Sequence, residues 1–454
     1  MTTTQILLAS TPFGALTLAA ALDAGLLGDD GSRRRVLVVS NNAAIPELTP
    51  GLTAQPGWET LAHRFHTLVD WNAEIAPLHP SGWTPREDEL PLYERWLRDR
   101  WGLTGHDIEL VVESIAVAPA RTLCALFFGA PITVYSDGLM SYGPTRSTLP
   151  LGVGSRIDAF LHLDLVPGLV PHLLAEYGVP SRTIPDAAFR KVLDEVTGAV
   201  RGALTAPDGT EVPEGTPLMV GQYLAALEIL SAQEEDDLHV AMLRGVVARG
   251  FTTVLFKPHP ASPVRATEHL AAEARRLGVR LLVVDQPVPA EAWCAAVRPA
   301  LIVGCFSTAL VTATRYYGVP AAAVGAEMLL DRLAPYENSN RIPVTIVEAT
   351  VPALGEDGSL TEPANYGPLL APLVAAVTYA MQAGTRPELR AEAAAYLKEH
   401  WPEVQRFFKR RRLTSLGLPG GLPPNRAVEV AVPRASRRRR MALRAFRQVD
   451  RFRD

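Results

Sequence analysis

Four short stretches hold the residues whose types and spacing can do chemistry. In Tyr135-Ser136-Asp137-Gly138 a carboxylate stands one step past an apolar run, and a glycine follows it. A carboxylate so placed can take a proton from a hydroxyl; an ordinary Asp-Gly turn reads the same way. Glu113 ends another apolar run and offers a second carboxylate. In Phe256-Lys257-Pro258-His259-Pro260, two prolines fix φ on either side of a histidine. Held beside a lysine, His259 can donate a hydrogen bond to a phosphate, or a proton as phosphate leaves. Gly304-Cys305-Phe306-Ser307-Thr308-Ala309 opens a helical pattern. Small hydroxyls there can cap the helix and, with its free N–H groups, bind phosphate. In Pro289-Ala290-Glu291, the carboxylate can accept from ribose hydroxyls or simply suit a helix N-terminus. Two phosphate-suited places, Lys257-His259 and Ser307-Thr308, point to a nucleotide-linked substrate.

Other patterns narrow the field. His63 and His66 lack an acidic partner at ligand spacing, so no metal site is expected. There is no GxGxxG, no Walker A loop and no GxSxG elbow. Cys124, Cys294 and Cys305 form neither a disulfide framework nor a zinc pattern, and read as small hydrophobes in a reducing compartment.

Positioning such groups requires strands that end where they stand. Residues 5–9, 35–40, 108–112 and 132–135 are short apolar runs separated by helical patterns at 15–27, 90–101 and 118–128. The rhythm restarts with strands at 218–221, 253–256, 279–284, 301–303 and 321–324, and helices at 231–249, 266–277 and 309–317. Apolar strands alternating with helices predict parallel sheets covered on both faces, with ligands beyond the strand C-termini. The stretch 182–217, rich in Asp, Glu, Pro and Gly, reads as a domain border. The expectation is an α/β protein of two doubly wound Rossmann-like domains facing a cleft. Residues 1–215 form the acceptor side, 216–400 the donor side, and 401–454 a basic tail.

Composition agrees with that reading. Of 454 residues, 48% are apolar and 20% charged, with a net charge of −4, which excludes a disordered chain or a coiled-coil rod. No window is long and apolar enough to span a bilayer. The N-terminus lacks a basic leader and reads as strand, turn and helix rather than a signal peptide. Residues 401–454 carry fifteen Arg or Lys against four Asp or Glu. Residues 437–447 interleave Met441, Leu443 and Phe446 with arginines, which suits an anionic membrane surface or a polyanion, or a plain solvated helix. No nucleic-acid module accompanies them.

The ordered set Ser136-Asp137-Gly138, His259-Pro260 and Ser307-Thr308 resembles the bacterial sialyltransferase and polysialyltransferase group, in its α-2,8-polysialyltransferase-like branch. The resemblance is clearest over residues 218–325. It implies a GT-B glycosyltransferase that uses CMP-sialic acid, or a related CMP-nonulosonic acid, with inversion and without metal or cofactor. The acceptor would be a glycan or glycolipid, and the enzyme cytoplasmic, resting peripherally on the inner face of the membrane. Alternatives are a UDP- or GDP-sugar donor, or a catalytically impaired homologue. The resemblance places His259 on the donor phosphate, with Lys257 strengthening the field. It places Ser307 and Thr308 on the CMP phosphate and Glu291 near the ribose. The family's general base is the first acid of an acidic-acidic-glycine motif. Here that position is Ser136, which leaves Asp137 or Glu113 for the task.

Overall fold

The computed structural model describes residues 2–28, 31, 33–259, 266–364 and 366–422. Pro260 and residues 437–447 lie outside them.

Fourteen described strands form two sheets of seven. The first contains β1 (Thr3–Ala9), β2 (Arg33–Val39), β3 (Thr67–Asp70), β4 (Asp107–Val112), β5 (Ile132–Ser136), β6 (Ile157–Leu163) and β7 (Ser181–Ile184). Their order is β3-β2-β1-β4-β5-β6-β7, all parallel. The second contains β8 (Leu218–Val220), β9 (Thr253–Lys257), β10 (Arg280–Val283), β11 (Ile302–Gly304), β12 (Ala321–Ala323), β13 (Ala353–Leu354) and β14 (Leu360–Thr361). Their order is β10-β9-β8-β11-β12-β13-β14, and only the last pair is antiparallel.

Each order reverses once, between β1 and β4 and between β8 and β11. At such a switch point neighbouring crossover connections diverge to opposite faces and leave a crevice at the strand C-termini. Ser10 and Glu113 follow β1 and β4 directly, Gln222 and Phe306 stand two residues beyond β8 and β11, and the candidate chemistry of the sequence surrounds them. Two doubly wound domains facing each other in this way are the GT-B architecture.

Local chemistry explains the helices that matter. The helix Pro12–Asp23 starts on a Thr11 cap that accepts from Gly14 N, with proline in its first turn. Its residues from Gly14 to Leu22 are all buried, because it lies between its own sheet and the helix Asp186–Val200. Ser231 and Glu234 form a reciprocal capping box on the helix Ala232–Ala248, so the helix expected over 231–249 starts on a cap. Ser307 caps the helix Thr308–Tyr317, and Gly318, at φ +66°, ends it.

The sequence reading missed β3, β6 and β7 in the first sheet and β13 and β14 in the second. The stretch 182–217 contains most of β7 and the helix Asp186–Val200, so the chain passes between sheets only after residue 200. The first part of the expected tail, residues 401–422, is folded onto the body. Phe407 and Leu413 are fully buried. Arg412 donates to the carbonyls of Ala380 and Met381 at 2.7 and 3.1 Å, where the helix Leu370–Met381 ends, and pairs with Glu337 at 2.8 Å. A cation there satisfies orphan carbonyls and the helix dipole together. No helix among the described residues is long and apolar enough to cross a membrane.

Arg341 shows how the second domain is locked. It is fully buried, lies 4.0 Å over the Tyr336 ring, and donates to the carbonyls of Leu330, Leu333 and Tyr336 at 3.2, 2.9 and 2.9 Å. These bonds close the C-terminal end of the helix Ala326–Arg332 and anchor the helix Arg341–Thr350, which packs against residues Leu139–Tyr142 of the first domain. Arg341→Met removes the charge and strands three buried carbonyls. It is expected to cost at least about 3 kcal/mol in denaturant unfolding.

Candidate active site

The first domain contributes two carboxylates. Glu113, immediately beyond β4, is 9% exposed. Its Oε1 accepts from Ser10 N at 2.7 Å and from the Ser10 hydroxyl. A Cβ on Gly14 would stand 3.1 Å from its Oε2 and 3.2 Å from the Tyr135 hydroxyl, so glycine lets the helix start close over the carboxyl. Tyr135 is itself held by donating to Leu8 O at 2.8 Å. Asp137, one residue beyond β5, is half-buried and accepts from the Thr11 hydroxyl at 3.5 Å.

The two acids share one environment. Burial, and then the neighbouring Asp137, push the Glu113 carboxyl up to about 7, against bonds from Ser10 and Tyr135 that pull it down. Burial also raises Asp137, partly offset by a backbone hydrogen bond and by Thr11. Two desolvated carboxylates this close resist ionising together.

The second domain contributes groups of opposite character. Lys257 ends β9, is 9% exposed and donates to Gln286 O at 3.3 Å. Burial lowers it to about 8, although Glu291 and Asp285 oppose the shift. His259 is half-buried, with its ring centroid 3.9 Å from that of Tyr223. Burial and then Lys257 push it down to about 4. Ser307 caps the helix Thr308–Tyr317 by accepting from Ala309 N at 3.2 Å. Gln222 Oε1 accepts from Phe306 N at 2.8 Å and so fixes this loop to the exit of β8.

Glu291 is placed differently. It begins the helix Ala290–Val297, is 4% exposed, and accepts from the Thr312 hydroxyl at 2.5 Å. That bond braces the helix carrying Ser307 and Thr308. Burial raises the Glu291 carboxyl; Thr312 and Lys257 pull it down, while Asp137 adds to the rise.

The two halves meet at Gly138. A Cβ there would lie 3.2 Å from the Thr308 hydroxyl. The backbone of Gly138 is extended (φ −138°), so space rather than conformation calls for glycine. Further along the same helix Arg315 reaches the first domain, pairing with Asp164 at 3.2 Å and Asp186 at 2.7 Å, and Tyr316 packs on Phe189 with ring centroids 5.3 Å apart. Asp137, Glu113, Ser307 and Thr308 thus gather at one domain boundary, with Lys257 and His259 at the C-terminal end of β9 in the second sheet.

Sequence reasoning missed Ser10, Thr11 and Tyr223. A Ser-Thr-Pro run at a strand end is a helix-start signature, and it could have marked the first two. Cys124, Cys294 and Cys305 are buried. No cluster of three His, Cys, Asp or Glu suited to a metal ion is found among the described residues.

A model of the alpha-2,8-polysialyltransferase (POLYST) family matches residues 5–326. No curated protein matches the chain. Among solved structures, Acinetobacter baumannii MurG is 11% identical, with 86% of this chain and 94% of that one covered and a TM-score of 0.39. The GT-B domain of a Photobacterium damselae sialyltransferase is 12% identical, with coverages of 76% and 96% and a TM-score of 0.40.

Glu113 ties the site to stability. Its folded value of about 7 lies above its ordinary 4.5, so the folded state holds the proton more tightly. The penalty for the buried charge is absent below about 4.5, grows through that window and is complete above about 7. Glu113→Gln is therefore expected to stabilise the protein at pH 8 by up to roughly 3 kcal/mol and to change little at pH 4, read by denaturant unfolding at both values.

Proposed function

The chain belongs to the alpha-2,8-polysialyltransferase family, and from that premise we propose that it transfers sialic acid, or a related nonulosonic acid, from a CMP-linked donor to a glycan hydroxyl with inversion. At the coarser level it is a GT-B glycosyltransferase acting on a nucleotide-sugar donor. The observation that carries the finer reading is the meeting of Gly138 with Thr308, which sets a carboxylate pair against a phosphate-suited helix start.

The donor phosphate lies at the N-terminus of the helix Thr308–Tyr317, on Ser307, Thr308 and the free N–H groups. Negative charge grows on that phosphate as the anomeric bond breaks. Donors already fixed in place stabilise it most where it grows. His259 and Lys257 stand on the same sheet edge. Burial depresses both; the singly charged phosphodiester of a bound donor raises both again, and the second charge that grows as CMP leaves raises them further. Glu291 acts here by bracing the helix through Thr312.

On the opposite side Asp137 takes the proton of the attacking hydroxyl. It is the carboxylate next to Gly138 and therefore next to the donor hydroxyls. Glu113, held on one oxygen by Ser10, acts as its partner and retains a proton up to about pH 7. The cationic segment 423–454 lies outside the described residues and is assigned, from sequence alone, to an anionic membrane surface or polyanion.

Calorimetry is expected to show CMP binding that weakens about tenfold or more in His259→Ala and in the Ser307→Ala, Thr308→Ala pair, since a charge-assisted contact contributes roughly 1.5–3 kcal/mol. Equal affinity for UDP overturns the donor assignment. EDTA is expected to leave donor turnover unchanged, measured as CMP release.

The base is tested separately. Asp137→Asn should retain CMP affinity and lose transfer by about 10²-fold or more, the usual size of general-base catalysis. Glu113→Gln should keep transfer within about tenfold of wild type, well short of that loss. A reversed pattern moves the base to Glu113.

A further inference from the structure

We propose that a cavity at the exits of β2 and β3 holds an uncharged sugar residue of the acceptor, beyond the sugar that reacts. This rests on the acceptor-side reading above. The cavity has a volume of about 430 Å³, within the range of small-ligand sites. Ser40 and Asn41 line it where β2 ends, and Asp70 and Asn72 where β3 ends.

Its place follows from the sheet. Ser40 N bonds to Ala9 O at 3.0 Å, and the next residue, Ser10, holds Glu113. With β1 between them, β2 and β4 lie about 10 Å apart at the usual strand spacing. An oligosaccharide extending beyond its reacting sugar covers that distance. Cavity and carboxylates open on the same strand edge, so one extended acceptor can occupy both.

The cavity is formed before any ligand arrives. Asn41 N donates to Asn72 Oδ1 at 2.8 Å, and Asn72 Nδ2 donates to Asn41 O at 2.9 Å. Asn41 Nδ2 also holds the carbonyls of Pro46 and Thr49, at 3.0 and 2.9 Å. These amides are committed to the wall and fix the loop that carries Glu47.

What remains for a ligand has a definite character. Glu47 is exposed and makes no described hydrogen bond or ion pair. Asp70 uses one oxygen to cap Ala73 N at 3.2 Å. Ile45 and Leu78 are 55% and 49% exposed and offer aliphatic surface. Carboxylates accept from sugar hydroxyls, and aliphatic groups match the C–H faces of a ring. No lysine or arginine is among the described lining residues. His79, the remaining titratable group, spends Nε2 on Ala43 O at 2.9 Å and Nδ1 on Ser81 N at 3.2 Å. An anionic ring, such as a sialic acid residue, would meet two carboxylates and no cation.

The test uses the full chain with two probes of equal length, chitotetraose and an α-linked sialic acid tetramer, titrated by calorimetry in about 0.5 M salt, which screens the cationic segment 423–454 from the anionic probe. Chitotetraose is expected to bind saturably, at least about tenfold more tightly than the anionic tetramer, equivalent to ~1.4 kcal/mol. Ala44→Trp, which fills the cavity from an exposed wall position, should weaken chitotetraose about tenfold or more. Glu47→Arg should narrow the preference between the probes about tenfold. Thermal midpoints confirm that both variants fold. Equal or tighter binding of the sialic acid tetramer to wild type, no saturable binding of chitotetraose, or an unaffected Ala44→Trp variant overturns the proposal. CMP affinity of the wild type is measured alongside: its absence strikes the donor reading and leaves the cavity result standing.

Discussion

The contact on which the site depends is the approach of Gly138 to Thr308. One residue follows a carboxylate at the edge of the first sheet, and the other opens a helix at the edge of the second. A side chain at 138 would have to share space with the Thr308 hydroxyl 3.2 Å away. Reacting groups must sit within a few tenths of an ångström of a productive geometry, and a misplacement near 1 Å can cost about 10²-fold in rate. Two domains on one chain reach that precision only if their boundary is itself packed. The Arg315 ion pairs to Asp164 and Asp186, and the Phe189–Tyr316 contact, pack it on the helix that begins with Thr308.

Electrostatics at the boundary follow from the same closeness. Acids stand on one side; an ammonium and an imidazole stand on the other. Burial moves all four toward neutrality: Glu113 up to about 7, Asp137 upward, Lys257 down to about 8 and His259 down to about 4. The site is therefore short of charge relative to its composition. A ligand that brings charge of its own changes that balance, because an added anion favours the cationic forms of its neighbours. A buried cleft of this kind is sensitive to the charge of what enters it.

Much of this could be read in the sequence, for a physical reason. Strands buried on both faces are continuous apolar runs, and polar residues just beyond them stand out. This is how Glu113, Asp137, His259 and Ser307 were found. Two of the elements that escaped, β3 and β7, break that contrast. In β3 Leu68 is 45% exposed, and β7 carries three exposed residues in four. The basic run around Arg406–Arg412 looked like a tail because charge in sequence does not reveal its partner in space. Arg412 closes a helix end, and Arg406 pairs with Glu348 at 3.0 Å. The parts that supporting residues such as Ser10 and Gln222 play were not legible, for a related reason. Their roles arise where strands adjacent in the sheet but distant in sequence come together, with Ser10 and Glu113 separated by 103 positions.

That same distance bears on the serine at 136. A motif of two consecutive acids sends its side chains in different directions as the chain leaves a strand. Here one of the consecutive positions is Ser136, which is paired in register with His162 on β6. A second carboxylate still reaches Asp137, but it comes from the neighbouring strand. Glu113 follows β4 directly, β4 pairs with β5, and the two acids perturb one another. Thr11 and Ser10, adjacent at the start of one helix, bond one acid each. A carboxylate pair drawn from two strands and bracketed by one helix start is held by sheet register rather than by a single turn. It therefore tolerates the loss of an acid from the consecutive motif without losing its paired character.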